Sequence, residues 1–223
     1  PRGGTGALVE ALAKLMQEVG IDVQLAQDVE KIHVEDNIAK AVSLADGRTL
    51  TADIIISNGD PAHTYKNLIA QEQRKTWTDK RIDKLKYSMG LYVLYFGTNK
   101  KYESVEHHTI VFGDEYQTLL QRIFAGGEAG DDLSLYLHRP TATDPNLAPE
   151  GKDTFYVLAP VPNLQRDDWE SVKAGVKERV LDILEERILP NLRDNLEVCF
   201  DFDPADFQSQ YKSQWGAGFS IAP

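Results

Sequence analysis

The chain has 223 residues, 42% of them hydrophobic and 26% charged, which is typical of a soluble globular protein with a full core. Its net charge of -11 argues against binding to nucleic acid and against electrostatic docking on an anionic membrane, because both need Lys/Arg-rich surfaces. The single Cys199 cannot form an intrachain disulfide, so a reducing compartment is expected, and no apolar run approaches the ~20 residues of a transmembrane helix.

The first 60 residues predict one amphipathic helix followed by short strands. Apolar residues at helical spacing follow Thr5, a potential N-cap, and Gly20 stands where a glycine would end the helix. Asp46-Gly47 predicts a type I′ hairpin turn, and the apolar run 53–57 predicts a strand buried on both faces. The expected strands are 21–25, 29–34, 38–44 and 53–57.

The rest of the chain alternates isolated helices with antiparallel-looking strands, which predicts an α+β fold. Asp60-Pro61 opens a helix to about residue 69, and a polar helical stretch is expected over 72–84. The aromatic and β-branched segment 87–97 predicts a long strand. Further strands are expected at 109–112, 133–138, 154–160 and 197–202, and further helices at 115–124, 167–189 and 204–210.

Residue patterns alone do not indicate self-sufficient catalytic chemistry, and no catalytic acid, base or nucleophile is assigned. Gly3-Gly4-Thr5-Gly6 before a helix could cradle an anion, but it is neither GxGxxG nor a phosphate loop. No third ligand at a fixed spacing accompanies His107-His108, so no metal site is predicted. Asp201 and Asp203 are expected on one strand face, and Asp167 resembles the start of a capping box.

Several ordered segments resemble the phytoene desaturase family, which comprises FAD-dependent carotenoid desaturases with a flavin amine-oxidase-like fold. The segments are PRGGTGALVEALAKLMQEVG, TADIIISNGDPAHTY, LYVLYFG, HHTIVFG, DLSLYLHRPTATDPNLAPEG and FYVLAPVPNL. They cover almost the whole chain, and the bacterial-type desaturases of phytoene and related acyclic carotenes are the nearest members. The resemblance implies that residues 1–65 are the middle portion of an FAD-binding domain and 66–223 an antiparallel-sheet substrate-binding portion.

The resemblance also implies where the cofactor and substrate contacts lie. The backbone of Val29 is expected to hydrogen-bond the flavin adenine, with Ser57, Asn58 and Gly59 near the same cofactor. A channel for a long apolar polyene is expected along alternate positions of the following segment. Its expected lining residues are Tyr87, Leu91, Val93 and Tyr95.

The departures from the family pattern indicate a central fragment of a longer enzyme. The dinucleotide fingerprint GxGxxG and the Gly-rich C-terminal flavin segment are absent, so the fragment alone is expected to bind FAD poorly and to be inactive. The whole enzyme would pass a hydride from an acyclic carotene to the flavin N5. It is expected in the cytoplasm, meeting the membrane peripherally through apolar surface.

Two alternatives share this scaffold. One is a carotene isomerase or a carotenoid oxygenase of the same family, and the other is a non-catalytic lipid-binding module like the prenyl-protein escort proteins. Product analysis with phytoene separates the first alternative from a desaturase. A GxGxxG fingerprint upstream in the parent chain separates the enzymes from the escort.

Overall fold

A computed structural model describes residues 2–125, 132–165 and 169–222. Two antiparallel sheets organise these residues, one of three strands in the order β1-β2-β3 and one of five in the order β5-β6-β7-β4-β8. Helices flank them, so the predicted α+β class is confirmed.

The strands are β1 Val29–Glu35, β2 Ile38–Leu44, β3 Thr49–Thr51, β4 Gly90–Thr98, β5 His108–Val111, β6 Leu135–His138, β7 Asp153–Val161 and β8 Leu196–Phe202. The helices are α1 Gly4–Glu18, α2 Pro61–His63, α3 Asp79–Ile82, α4 Tyr116–Ala125, α5 Trp169–Arg187, α6 Leu192–Asn195 and α7 Pro204–Tyr211. A π-helical turn, Thr64–Leu68, continues α2.

Two different turns build the small sheet. Asp36 and Asn37 both have positive φ, at 50° and 63°, and make the two-residue turn between β1 and β2. At the second hairpin only Gly47 has positive φ, 87°, and its N–H donates to the Leu44 carbonyl at 3.0 Å. The type I′ prediction for Asp46-Gly47 is therefore wrong, because the longer loop needs a left-handed residue only at its last position.

Helix α1 forms as its apolar spacing predicts, but it packs little of that surface. Its N-cap is Gly3 rather than Thr5, and Gly20 ends it with a φ of 79°, as expected. None of its residues is buried, and Leu12 and Leu15 are 48% and 52% exposed. Its apolar stripe is thus a surface without a partner among the described residues.

The strands predicted at 21–25 and 53–57 do not form. Both segments lack strand hydrogen bonding, and Ile54 and Ile56 are 78% and 87% exposed. An extended segment becomes a strand only when another strand supplies hydrogen bonds, and no described strand pairs with either. The helix predicted at 72–84 shrinks to a 3₁₀ turn and the four-residue α3, whose N-cap Thr78 accepts a hydrogen bond from the Arg81 N–H.

The five-stranded sheet carries the main core on one side. Alternate residues of its strands pack against α4 and α5, and we call this side the inner face. Tyr92, Leu94 and Phe96 of β4 are at most 3% exposed there, and Tyr92 contacts Trp169 of α5 with ring centroids 6.3 Å apart. We call the opposite side the outer face, and no helix layer of this kind covers it within the part of the chain that the structure describes.

One buried ion pair stands at the end of the inner face. Asp153 accepts hydrogen bonds from Arg139 Nε at 2.9 Å, from the Tyr102 N–H at 2.8 Å and from Thr141 Oγ1 at 2.6 Å. The Arg139 and Asp153 side chains are 7% and 0% exposed. Every acceptor oxygen of Asp153 is therefore occupied, as a buried carboxylate requires.

At the end of β8, the two aspartates share one face as predicted. Lys173 of α5 forms ion pairs with both Asp201 and Asp203, and Lys177 bonds Asp201 at 3.0 Å. Asp203 also caps α7 in a capping box with Asp206. The capping box predicted at Asp167 and the start of its helix at 167–168 lie outside the described residues.

The C-terminal segment returns to the first part of the chain. Ser220 Oγ donates to Asp60 Oδ2 at 2.9 Å, and Ile221 bridges Tyr87. A second, smaller core of Ala62, Ile82, Tyr87 and Ala217 lies there. Across the described residues, none of the helices is both long and apolar enough to cross a membrane.

Candidate functional site

The outer face of the five-stranded sheet carries a row of ring side chains. Strand pairing places His108 opposite His138, His138 opposite Tyr156, Tyr156 opposite Tyr95, and Tyr95 opposite Phe200. Because side chains alternate between the two faces of a strand, residues paired in this way project on the same side. One row of rings therefore crosses all five strands.

A second row lies one step along the strands. It consists of Ile110, Tyr136, Leu158, Val93 and Phe202 in strand order. All five side chains are apolar or aromatic, so the two rows together form a broad apolar surface. Helix α7 covers only its end near β8, where Phe202 packs edge-on against Phe207 with centroids 4.9 Å apart.

Neighbouring rings of the first row contact one another, and those at the β4 and β8 positions are exposed. Tyr95 stacks on Phe200 with centroids 5.2 Å apart and contacts Tyr156 at 5.9 Å. Tyr95 and Phe200, on the neighbouring strands β4 and β8, are 38% and 57% exposed, and Ile110, on β5 at the opposite edge of the sheet, is 54% exposed. Exposed apolar surface such as the Tyr95–Phe200 pair marks a ligand groove or an interaction site.

Two tyrosines of this surface, Tyr95 and Tyr156, have raised pKa values. Burial raises the pKa of Tyr156 to about 12, and the neighbouring Tyr136 hydroxyl adds to the shift. Burial also raises the pKa of Tyr95. A face of neutral rings can contact an elongated uncharged ligand by dispersion and area burial, and it offers no charge to a polar one.

The structure divides the four residues expected to line a substrate channel. Leu91, Val93 and Tyr95 lie on the outer face of β4, but Leu91 and Val93 are each 6% exposed, and Leu91 packs against Gly218. Tyr87 lies before the strand in the smaller core, where its hydroxyl donates to the Ile82 carbonyl at 3.0 Å. Only Tyr95 of the four therefore presents substantial open surface.

Two of the four residues expected near the cofactor line a cavity of about 340 Å³ beside the small sheet. Ser57 and Gly59 line it together with apolar side chains of β1 and the π-helical turn, and Ser57 Oγ lies 2.9 Å from Thr64 Oγ1. Val29 and Asn58 are not among its lining residues. Val29 begins β1, which is an edge strand of the small sheet.

These features fit part of a flavin site. An edge strand leaves backbone N–H and C=O groups unpaired on one side, so the Val29 backbone can hydrogen-bond an adenine ring. The glycine turn before α1 does not fit the diphosphate, because the Gly3 N–H donates to Asp144 Oδ2 at 2.8 Å. A carboxylate there takes the donor and repels an anion, so the anion cradle considered at Gly3–Gly6 is not supported.

The structure brings together a histidine cluster that sequence spacing missed. His138, at the end of β6, joins His107 and His108, and their ring nitrogens lie within 4.8 Å of one another. Burial lowers the pKa of both His107 and His138, and their neighbouring imidazoles lower it further. Antiparallel pairing of β5 and β6 thus places a third imidazole beside His107-His108, which spacing along the sequence did not indicate.

Sequence reasoning also missed the ring side chains contributed by other strands. Tyr136, Tyr156 and Phe200 each alternate with core residues, and that period of two was the available signal. The pattern does not say which of the two faces a helix layer covers. Cys199 is half-buried on the inner side of β8, and burial raises the pKa of its thiol, which fits a packing role rather than a reactive one.

Comparison with known sequences places the chain in a family. The flavin containing amine oxidoreductases match residues 1–217. The phytoene desaturase (neurosporene-forming) of Rhodobacter capsulatus is 44% identical over 228 residues, which cover 99% of this chain and 44% of that protein. The phytoene desaturase (lycopene-forming) of Pseudescherichia vulneris is 43% identical over 225 residues, which cover 100% of this chain and 46% of that protein.

The chain thus spans less than half the length of these curated relatives. Among solved structures, an oxidoreductase from Methanosarcina mazei superposes with a TM-score of 0.63 at 19% identity, over 91% of this chain and 43% of that one. This similarity shows the fold and agrees with the sequence match. The chain belongs to the family of flavin containing amine oxidoreductases.

Proposed function

We propose that the protein carrying this chain is an FAD-dependent desaturase of an acyclic carotene such as phytoene. The observation that carries the proposal is the apolar outer face, where Tyr95 stacks on Phe200 and contacts Tyr156 at a tilt. A carotene is long, uncharged and apolar, so it matches such a surface by burial of area rather than by hydrogen bonds. The names of the two desaturases described above point to the same substrate class.

Within this proposal, residues 1–65 contribute to the flavin site and residues 66–223 hold the substrate. The Val29 backbone would bind the adenine, and Ser57, Asn58 and Gly59 would lie close to the same cofactor. When bound, the flavin supplies the acceptor for the hydride that leaves the carotene. The chain's own residues bind and orient the polyene and exclude water from it.

On the substrate side, Tyr95, Tyr156 and Phe200 are the residues that we assign to polyene contact. Their stacked rings give a straight apolar track across three neighbouring strands, β7, β4 and β8. Leu91 and Val93 lie on the same face of β4 as Tyr95 and are nearly buried, so they pack beside the track. A substrate that resides in lipid requires the protein to reach the membrane surface through apolar contacts, and we propose that it does so from the cytoplasm.

The test uses the full-length protein with FAD, supplied with phytoene in neutral lipid vesicles, and analyses the products. We expect desaturated carotene from the wild type and at least about tenfold less from Tyr95→Ser, because the polyene loses an apolar contact of its site. The matched control is Tyr116→Ser, since Tyr116 lies on α4 and is 40% exposed against 38% for Tyr95. It should leave turnover unchanged.

Three results would count against the proposal. Conversion of a pre-desaturated carotene but not of phytoene would favour the isomerase or oxygenase alternative. Tight carotene binding without any conversion would favour the lipid-binding escort. Equal losses from Tyr95→Ser and Tyr116→Ser would remove the outer face from the substrate site.

A further inference from the structure

The histidine cluster at the rim of the outer face has the arrangement of a metal-binding site. His107 precedes β5, His108 begins it, and His138 ends β6 directly opposite His108. The ring centroids lie 4.3 Å apart for His107 and His108, 4.7 Å for His107 and His138, and 5.2 Å for His108 and His138. Three imidazoles from two strand ends and one loop therefore converge on one point.

Hydrogen bonds outside the cluster orient two of the rings. His107 Nδ1 lies 2.8 Å from Thr143 Oγ1, and this hydroxyl donates its own hydrogen to the Pro140 carbonyl at 3.3 Å. With its hydrogen on the Pro140 carbonyl, Thr143 can accept a hydrogen bond from His107 Nδ1–H. His108 Nδ1 lies 2.7 Å from the Tyr136 hydroxyl, which can accept a hydrogen in the same way.

With their hydrogens on Nδ1, both rings are left with an unprotonated Nε2, the nitrogen that a metal takes. Metal-binding histidines characteristically donate the other ring N–H to an oxygen acceptor, which sets the ring orientation and raises the basicity of the ligand nitrogen. Thr143 and Tyr136 occupy that position here. The Nε2 atoms of His107 and His138 share a hydrogen bond of 2.8 Å, so one of them carries a hydrogen that a bound metal would displace.

We propose that His107, His108 and His138 bind a divalent first-row transition-metal cation of the Zn²⁺ type. Neutral imidazoles suit Zn²⁺, Ni²⁺ and Cu²⁺, whereas Mg²⁺ and Ca²⁺ prefer oxygen ligands. Three histidines leave a fourth position for water, and His108 is exposed, so that position opens to solvent. The inference is independent of the proposed desaturase activity.

The local charge and the required movement are both compatible with a cation. The adjacent Arg139 turns to the inner face, where it pairs with the buried Asp153. Two nitrogens bound to one tetrahedral Zn²⁺ at about 2.0–2.1 Å stand roughly 3.3 Å apart, so the facing Nε2 atoms need to separate by about half an ångström. Small rotations of the two side chains achieve this.

A bound cation would tie the loop before β5 to the end of β6. It would also sit beside Tyr156, whose ring centroid is 4.7 Å from that of His138. The site therefore lies at the end of the ring row and would hold this rim of the outer face in one conformation. Because the cation binds the folded chain, it raises the melting temperature as its free concentration increases.

The test titrates Zn²⁺ into the metal-stripped full-length protein by calorimetry, without carotene. We expect one bound cation per chain, and a loss of affinity greater than about tenfold in His138→Gln and in His108→Gln. Thr143→Val should weaken binding by about tenfold, because it removes only the acceptor that orients His107. The control is His33→Gln, a histidine of the small sheet bonded to Ser43, which should bind Zn²⁺ like the wild type.

Circular dichroism of each variant establishes that it is folded. Because Thr143 is exposed, we expect Thr143→Val to fold, so this variant still tests the site if a histidine variant unfolds. Co²⁺ in place of Zn²⁺ should give the visible absorption of a four-coordinate site in the wild type and not in His138→Gln. The proposal fails if the wild type binds no Zn²⁺. It fails equally if His138→Gln and His33→Gln bind it alike.

Discussion

The inner and outer faces of the five-stranded sheet are built from the same strands but have opposite roles. On β4, Leu94 points to the inner face and is fully buried, whereas its neighbour Tyr95 points outward and is 38% exposed. The inner face packs against α4 and α5 with aliphatic and aromatic side chains. The outer face exposes rings of similar apolar character, and among the described helices only α7 packs on it, at the end near β8.

This difference shows that apolar character alone does not distinguish core from ligand surface. Burying an apolar side chain stabilises the fold in either case, by about 25 cal/mol per Å² removed from water. On the inner face this stabilisation is already realised in the folded chain. On the outer face much of it remains available to a ligand, and this supports the assignment of Tyr95 and Phe200 to substrate contact.

The largest expected loss of stability comes from breaking the buried ion pair between Asp153 and Arg139 at the end of the inner face. Asp153→Asn removes the carboxylate that pairs with Arg139 and leaves a buried guanidinium without its counterion. We expect a loss of about 3–5 kcal/mol in the free energy of unfolding, measured by urea denaturation. The control is Glu197→Gln, whose pair with Lys152 is 33–44% exposed, and which should cost about 0–1 kcal/mol. Comparable losses in the two variants would show that the Asp153 network does not anchor the inner face.

A direct comparison of the two faces uses one substitution on each. Leu94→Ala opens a cavity in the fully buried inner face and should cost about 2–5 kcal/mol of unfolding free energy. Phe200→Ala removes a ring that is 57% exposed, so mainly its stacking on Tyr95 is lost, at about 1 kcal/mol. The same denaturation experiment measures both. Equal losses would mean that the outer face is as much a part of the core as the inner one.

The smallest expected effect comes from the ion pair between Asp203 and Lys173, and it depends on pH. Burial alone would raise the pKa of Asp203, but the Lys173 ammonium and backbone N–H groups of α7 outweigh it and hold that pKa below its ordinary 3.8. A lowered folded-state pKa contributes stability above pH 3.8, and this contribution is lost as the pH falls through the folded value. Asp203→Asn keeps an N-cap side chain, so it isolates the charge interaction.

We expect Asp203→Asn to cost about 1 kcal/mol at neutral pH, since Lys173 is 35% exposed and its interaction is partly screened. The difference from the wild type should shrink as the pH falls below 3.8, in unfolding curves recorded from neutral to acid pH. Asp194→Asn, an exposed aspartate on α6, is the control for a general change in charge. A difference that stays constant down to the acid limit would exclude the ion pair as its cause.

Local sequence signals predicted most elements of the described fold. Apolar spacing and Gly20 predicted α1, the aromatic segment at 87–97 predicted β4, and Asp60-Pro61 predicted the start of α2. The failures at 21–25 and 53–57 share one physical cause. Both segments have strand-like composition, but strand formation depends on partners distant in sequence, which local patterns do not specify.

The candidate sites were likewise predicted only in part. The family resemblance pointed to Ser57 and Gly59, which line one cavity, and to Tyr95, which lies on the open outer face. It grouped Tyr87 with Tyr95, although Tyr87 lies in a separate core. Alternation along a strand predicts which residues share a face, but not what covers that face.

By itself, therefore, the sequence determined the class of fold, most local elements and the family, because these depend on composition, periodicity and ordered motifs along one stretch of chain. Only the tertiary structure decided which face of the large sheet is core and which is open. It also decided that His138 meets His107 and His108, since the antiparallel register of β5 and β6 joins residues about 30 positions apart. Contacts of that range depend on strand pairing, which a local pattern does not encode.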